Sequence, residues 1–229
     1  MGLILIVASL FLNTPKTFAA GSLYDVPQTD AGFYAIESTF LSGIVDSVAC
    51  PSGSPSGSKC YKPNNTVLRK EFAKAVVLAA GKTTLKPLKS SFSDVALSNT
   101  YSGYIERAAD PASWGGQAPL VPCKISGTTK YFCPGANIIR LDTANALVWG
   151  SGMPALNPQP ATATFSDVPK TATFWSNIET LNCKGIMKGT SATVFGPSGT
   201  VTRRDMALFL AKTFMVQNIQ GFIKQQKAD

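Results

Sequence analysis

Histidine is absent from this chain of 229 residues, and charged residues make up only 15% of it. Without histidine the sequence cannot build a Ser-His-Asp or Cys-His arrangement, and it lacks the commonest general base at neutral pH. Apolar residues make up 45%, which indicates a globular protein with a sizeable core rather than a disordered chain. We therefore expect a binding or structural protein rather than an enzyme.

Basic residues are also missing from the first twelve positions, where an apolar run extends from Gly2 to Leu12. The run is too short to span a bilayer as a helix, and a polar stretch ending in Ala19-Ala20 follows it. This order predicts a secretory signal peptide over residues 1–20, although the usual basic start is lacking. We expect a secreted protein with no transmembrane segment in the mature chain.

One pattern occurs three times in the sequence. An aromatic residue is followed by an arginine eight positions later, then by an acid and an alanine at intervals of two. The three sets are Tyr61, Arg69, Glu71 and Ala73; Phe132, Arg140, Asp142 and Ala144; and Phe195, Arg203, Asp205 and Ala207. Such self-similarity predicts repeated units that bury their apolar faces against one another.

The upstream part of each unit has a fixed spacing as well. An aspartate precedes a glutamate by twelve residues in the pairs Asp25 and Glu37, Asp94 and Glu106, and Asp167 and Glu179. The gap from that glutamate to the arginine varies through 32, 34 and 24 residues, which predicts a loop. We divide the chain into segment 1 (residues 21–82), segment 2 (83–153) and segment 3 (154–229, with a C-terminal helical extension). Each is predicted to be helix, loop, helix.

Four of the five cysteines lie in the variable loops. Cys50 and Cys60 are ten residues apart in segment 1, and Cys123 and Cys133 have the same spacing in segment 2. Four cysteines allow three pairings, and the equivalence of the segments selects Cys50–Cys60 and Cys123–Cys133. Disulfides imply an oxidising compartment. We expect Cys183 to be a small buried residue, and we expect no metal or other cofactor because the spacing does not suit zinc.

The chain carries a formal net charge of +8, and Lys16 lies in the predicted signal peptide. A positive excess favours anionic partners such as acidic glycans or phosphorylated polymers, although a merely soluble basic surface fits equally well. The charges follow the repeat rather than a basic stripe with interleaved aromatics, so we expect no nucleic-acid partner. The acids also recur symmetrically, whereas an active site needs one asymmetric set.

Segment 3 resembles an S-layer homology (SLH) repeat. The residues that carry the resemblance are Phe165-Ser-Asp-Val-Pro169, Phe174-Trp175, Ile178-Glu179, Lys184-Gly-Ile-Met-Lys-Gly189, Phe195-Gly-Pro197 and Val201-Thr-Arg-Arg-Asp205. Thr202 is predicted to cap the last helix, with Asp205 at the third helical position. Segments 1 and 2 match more loosely, because Leu68 and Ile139 stand at the equivalent cap positions.

The resemblance implies a mainly α fold in which three helix–loop–helix repeats pack with pseudo-threefold symmetry into one domain. It also implies that grooves between the repeats bind anionic, often pyruvylated, cell-wall polysaccharide and so anchor the protein to the cell envelope. The matched Arg203 becomes the leading candidate for an anion contact. The full predicted ligand-binding set is Arg203, Arg204, Trp175, Lys184, Asp167, Arg140, Asp94, Arg69 and Asp25.

The residues themselves give physical reasons for this set and leave alternatives open. An arginine at a helix start offers a planar fork of donors, and the helix N-terminus adds amide groups that favour an anion. Alternatively, each arginine pairs with Asp25, Asp94 or Asp167 and locks the units together. Trp175 is either a platform for sugar stacking or a core residue.

Two functions from different classes follow. The chain is expected to be a non-catalytic glycan-binding anchor at the cell surface, or else a structural subunit that assembles with itself or with other surface-layer proteins into a layer or filament.

The disulfide pairing can be tested directly. Non-reducing peptide mapping should find Cys50–Cys60 and Cys123–Cys133 and leave Cys183 as a free thiol. A bridge between Cys50 and Cys123 would contradict the alignment of the segments, because that alignment alone selects the pairing.

Overall fold

The computed structural model describes residues 21–215, so the predicted signal peptide and the predicted extension beyond Met215 lie outside the described residues. Within these described residues the α-helices are α1 (Phe33–Leu41), α2 (Arg69–Ala79), α3 (Ser102–Ala109), α4 (Arg140–Ser151), α5 (Trp175–Cys183) and α6 (Arg203–Phe214). Strands β1 (Val48–Ala49) and β2 (Lys59–Cys60) form one antiparallel hairpin, and β3 (Lys124–Ser126) and β4 (Thr129–Tyr131) form another. A 3-10 turn, Pro111–Trp114, follows α3.

The prediction of a mainly α fold with three like repeats is wrong. Of the described residues, 33% are helical and 8% lie in strands or bridges, so most of this part of the chain is turn and loop. The segments also differ, because hairpins occupy the variable loops of segments 1 and 2 and the 3-10 turn lies in segment 2. The chain contains 15 prolines and 19 glycines, which keep the connections out of helix, and a threefold arrangement is not shown.

Both predicted disulfides are confirmed. Cys50 is joined to Cys60 and Cys123 to Cys133, and each bridge ties the two sides of one hairpin together. The prediction for Cys183 is wrong, because its side chain is exposed. Cys183 is the last residue of α5 and lies beyond the buried run of that helix, which ends at Leu181.

The helices of different segments pack against one another. Helix α1 packs on α6, α3 on α2 and α5 on α4, while α2, α4 and α6 also contact each other. The contact between α2 and α4 is close, since a Cβ atom on Gly150 would lie 2.8 Å from a methyl group of Val76. The buried apolar residues form one core that includes Phe72, Leu147 and Leu210. The segments therefore share one core.

In each segment the aspartate and the glutamate that are twelve residues apart accept hydrogen bonds from backbone amides. Both carboxylate oxygens of each aspartate accept hydrogen bonds of 2.7–2.8 Å, from the amides of the aromatic residue and the residue after it. The acceptors and donor pairs are Asp25 with Tyr61 and Lys62, Asp94 with Phe132 and Cys133, and Asp167 with Phe195 and Gly196. Each glutamate is buried and accepts from an amide just upstream of the aspartate: Glu37 from Leu23, Glu106 from Ser91 and Glu179 from Thr164.

Loss of one aspartate should destabilise the whole domain. We expect Asp25→Ala to lower the free energy of unfolding by about 2–4 kcal/mol, because it leaves the amides of buried Tyr61 and of Lys62 without their acceptors. Urea denaturation measures the loss. Thr29→Ala, at an exposed position nearby, is the matched control and should cost under about 0.5 kcal/mol. Equal losses in the two variants would refute the role of the carboxylate.

Candidate functional site

The first two amides of α2, α4 and α6 bond to the backbone of the next segment. Segment 1 bonds to segment 2, segment 2 to segment 3, and segment 3 back to segment 1, at N···O distances of 2.8–3.3 Å. The donor and acceptor pairs are Arg69 and Ala136, Lys70 and Pro134, Arg140 and Gly199, Leu141 and Pro197, Arg203 and Asn65, and Arg204 and Pro63. Each of these amides already has a hydrogen-bond acceptor within the protein. They are therefore not available to donate to a bound anion, contrary to what we expected of the helix N-termini.

The side chain of each arginine lies on the aromatic ring of the segment that its helix start contacts. The guanidinium carbon is 5.0 Å from the ring centre in the Arg69–Phe132 pair and 4.5 Å in the Arg140–Phe195 and Arg203–Tyr61 pairs. In every pair Nε donates to the carbonyl of the same aromatic residue. Nη2 donates to a second carbonyl, that of Val121, Lys188 or Asp46 respectively. We call these three sites the Arg69, Arg140 and Arg203 junctions.

The Arg203 junction is closed by internal charges. Arg203 is 5% exposed, and its Nη1 lies 3.7 Å from Oε1 of Glu71. Lys74 bonds both carboxylate oxygens of Asp46 at 2.6 and 2.7 Å. Glu71, Lys74, Asp46 and Arg203 all line a cavity of about 100 Å³, which therefore holds two cations and two acids. An anion entering this cavity would have to displace a carboxylate.

The Arg69 junction is closed in a similar way. Arg69 is 3% exposed, and its Nη1 donates to a carboxylate oxygen of Asp142. Its Nε and Nη2 bond the carbonyls of Phe132 and Val121, both at 2.8 Å. This guanidinium therefore has its ion-pair partner and its carbonyl acceptors inside the protein.

The Arg140 junction is different. Arg140 is only partly buried, and it forms no ion pair with any carboxylate in residues 21–215. Its Nη2 donates to the carbonyl of Lys188 at 2.5 Å. Burial lowers the pKa of the Arg140 guanidinium, and the charges of Asp205 and Asp167 oppose that change. Arginine nevertheless stays protonated at neutral pH, so the junction keeps a positive charge without a carboxylate contact.

Exposed lysines lie on the turn of segment 3 whose Lys188 carbonyl accepts from Arg140. Lys188 is exposed and its Nζ donates to the carbonyl of Asn182 at 2.7 Å. Lys212 bonds the carbonyl of Gly185 at 3.0 Å, and Lys184 is exposed at the end of α5. These lysines surround one turn of segment 3, residues 182–188. We call Arg140, Lys184, Lys188 and Lys212 the basic cluster.

The remaining predicted ligand residues serve internal contacts. Arg204 donates through Nε and Nη2 to the two carboxylate oxygens of Asp30, at 3.0 and 2.7 Å. Trp175 is 8% exposed and lies beneath Lys170, which leaves little of its ring accessible to a sugar. Asp25, Asp94 and Asp167 hold the backbone amides described above. The alternative in which the arginines pair with these aspartates is therefore not what the structure shows.

Sequence reasoning missed the true partners of the arginines. Arg69 pairs with Asp142 and Arg203 with Glu71, so each partner is the acid at the third position of a helix in a neighbouring segment. In each segment this acid follows the arginine by two residues, which was the available signal. That spacing indicates a helix start, but it does not show that the acid pairs with the arginine of another segment. The Asp30–Arg204 pair had no repeated signal at all.

Other features of the described residues lie apart from the junctions. A cavity of about 390 Å³ in segment 2 is lined by residues such as Leu85, Phe92, Pro111 and Leu120, none of which the sequence indicated as a site residue. Within residues 21–215 no helix is long and apolar enough to cross a membrane. The same residues hold no cluster of three acids or cysteines that could bind a metal ion.

Comparison with known protein families gives one match. Residues 164–207 match the S-layer homology domain, so the match begins just before the Phe165 motif and ends within α6. It includes Trp175, Lys184 and Arg203 but covers well under half of the chain. The presence of this domain in segment 3 is therefore confirmed, whereas three such repeats are not. No curated protein matches the chain.

The Asp30–Arg204 pair should make stability depend on pH. The hydrogen bonds from Arg204, opposed by burial and assisted by the amide of Gly32, hold the pKa of Asp30 below its ordinary value of 3.8. A carboxyl whose pKa is lower in the folded state than in the unfolded state stabilises the fold at any pH above the unfolded pKa. This stabilisation is lost as the pH falls through the pKa of the folded state. We expect Asp30→Asn to cost about 1–3 kcal/mol at pH 7 and much less near pH 2.

Chemical denaturation at both pH values measures this difference. Asp46→Asn is the matched control, because Asp46 pairs with Lys74 but its side chain is 52% exposed. It should cost less than about 1 kcal/mol at pH 7. A penalty for Asp30→Asn that stays constant from pH 7 to pH 2 would contradict an ionic contribution of Asp30.

Proposed function

We propose that this protein is a non-catalytic protein of the cell envelope that binds an anionic cell-wall polysaccharide and is thereby anchored at the cell surface. The observation that carries the proposal is the match of residues 164–207 to the S-layer homology domain. Domains of this family generally anchor proteins to the cell wall by binding secondary cell-wall polymers. Secretion, which the signal peptide and the disulfides predict, would bring the chain to such a polymer.

The electrostatics of the junctions support the Arg140 junction as the binding site. Nη2 of the arginine donates to the carbonyl of Asp46 at the Arg203 junction, of Val121 at the Arg69 junction and of Lys188 at the Arg140 junction. The residue that accepts from Arg140 is therefore a lysine, whose Nζ bonds the carbonyl of Asn182, whereas the corresponding residue of the Arg203 junction is an acid. A polymer with regularly spaced anionic groups could contact Arg140 and the lysines of the basic cluster together, and charge-assisted hydrogen bonds from arginine to such groups are strong.

Binding to the cell wall tests the proposal. Arg140→Ala should weaken co-sedimentation with purified wall sacculi by about five- to a hundredfold, equivalent to about 1–3 kcal/mol, because it removes a charge-assisted contact. Its thermal midpoint should change less than that of Arg203→Ala. Arg203→Ala should instead lower stability by about 3–5 kcal/mol, since it leaves two carbonyl groups without their donor and Glu71 without its ion-pair partner.

Controls distinguish charge from geometry and ligand from fold. Arg140→Lys keeps the charge but loses the planar fork, so it should bind with intermediate affinity. Sacculi from which the acidic polymer has been removed should bind no variant. If Arg140→Ala binds as well as the wild type, the Arg140 junction is not the site. If the wild type ignores sacculi but forms large assemblies in solution, the alternative of a self-assembling surface-layer or filament subunit is favoured.

A further inference from the structure

Two of the three junction arginines pair with an acid at the third position of a neighbouring helix. Arg69 pairs with Asp142 in α4, and Arg203 pairs with Glu71 in α2. The corresponding acid for Arg140 is Asp205 in α6, and its charge acts on the guanidinium, but the two residues form no ion pair. The same arrangement thus closes two junctions and leaves the third open.

The residue before α6 also differs from its equivalents at the other two junctions. Thr202 caps the helix: its hydroxyl accepts from the amide of Asp205 at 3.1 Å and donates to Oδ2 of the same residue at 2.8 Å. The equivalent cap positions of α2 and α4 hold Leu68 and Ile139, which have no hydroxyl to bind an acid. Glu71 does bond the amide of Leu68, but only through Oε2, and Oε1 remains for Arg203.

Arg140 itself is held in place by its surroundings. Its guanidinium lies on the ring of Phe195 and bonds two carbonyl groups. A Cβ atom at Gly199 would be 3.3 Å from Cδ of Arg140, so the arginine stem passes close to that backbone. The carboxylate of Asp205, in turn, is held by the hydroxyl of Thr202 on its own helix.

We propose that Thr202 is a positioning residue that holds Asp205 away from Arg140 and so keeps the Arg140 guanidinium open to an anionic group. The inference rests on the proposed function for its ligand, whereas the choice of Asp205 between Thr202 and Arg140 does not depend on any ligand. It assigns one open anion site to the described part of the chain, at the junction of segments 2 and 3. A helix cap in segment 3 thus controls a guanidinium supplied by segment 2.

A set of four variants tests the role of Thr202. Thr202→Val keeps the shape but removes the hydroxyl, so Asp205 should turn to Arg140 and binding to purified wall sacculi should fall at least fivefold. Thr202→Ser retains the hydroxyl and should bind like the wild type. The double variant Thr202→Val/Asp205→Asn should recover most of the affinity, because asparagine cannot form the ion pair. Asp205→Asn alone should bind at least as well as the wild type.

The double variant separates positioning from stability. It lacks both members of the cap, so a merely structural role of Thr202 predicts that it binds no better than Thr202→Val. All binding is measured well below the melting temperature of every variant. Failure of the double variant to recover affinity overturns the proposal, as does unchanged binding by Thr202→Val.

A readout without polymer keeps this inference separate from the proposed function. The ¹⁵N resonance of Arg140 Nε should shift in Thr202→Val and return towards its wild-type position in the double variant, because an ion pair with Asp205 changes the guanidinium environment. If wild-type protein does not bind sacculi but the resonance follows this order, the proposed function fails and the role of Thr202 stands. If the resonance does not move in Thr202→Val, the role of Thr202 is refuted.

Discussion

The stacking of an arginine on the aromatic ring of the next segment is the contact on which the rest of the structure depends. A guanidinium has five N–H donors and no acceptor, so its burial requires several oxygen atoms fixed around it. Tyr61, for example, supplies its ring and its carbonyl to Arg203, although the two residues are 142 positions apart. These contacts join segment 1 to segment 2, segment 2 to segment 3, and segment 3 to segment 1. Separation of any one segment would therefore leave buried donors and acceptors of its neighbours without partners.

Local features of this structure could be predicted from the sequence, and features that join distant residues could not. The Thr202 cap follows from spacing within segment 3, and the pairing of cysteines ten residues apart follows from the equivalence of segments 1 and 2; both are present. The interval between Asp25 and Glu37 is fixed in the sequence, but the hydrogen bonds that these two acids accept come from backbone amides in two different places in the chain. Helix content was overestimated because the hairpins and turns of the long loops have no periodic signal.

The ranking of site residues rested on the family pattern and took no account of what surrounds each side chain. Sequence reasoning placed Arg203 first because its helix start matches the family pattern best, yet a well-formed helix start says nothing about what lies opposite its arginine. The side chain of Arg203 extends into segment 1, where it pairs with Glu71 and donates to the carbonyl of Asp46. The same helix start contributes Thr202 and Asp205 to the junction of Arg140. Under the role proposed for Thr202, the motif in segment 3 therefore bears on the neighbouring arginine rather than on its own.

The inequality of the junctions has an energetic rationale. A buried guanidinium is strongly destabilising if it lacks a carboxylate partner, and the two junction arginines that have one, Arg69 and Arg203, are also the buried ones. Arg140 remains partly exposed, so water can replace the missing partner at small cost, and an anionic ligand would in turn replace that water. Two closed junctions secure the domain, which allows the third to hold its guanidinium without a carboxylate in contact. A fold held by three equivalent ion pairs would be more uniform, but it would have no guanidinium left for a ligand.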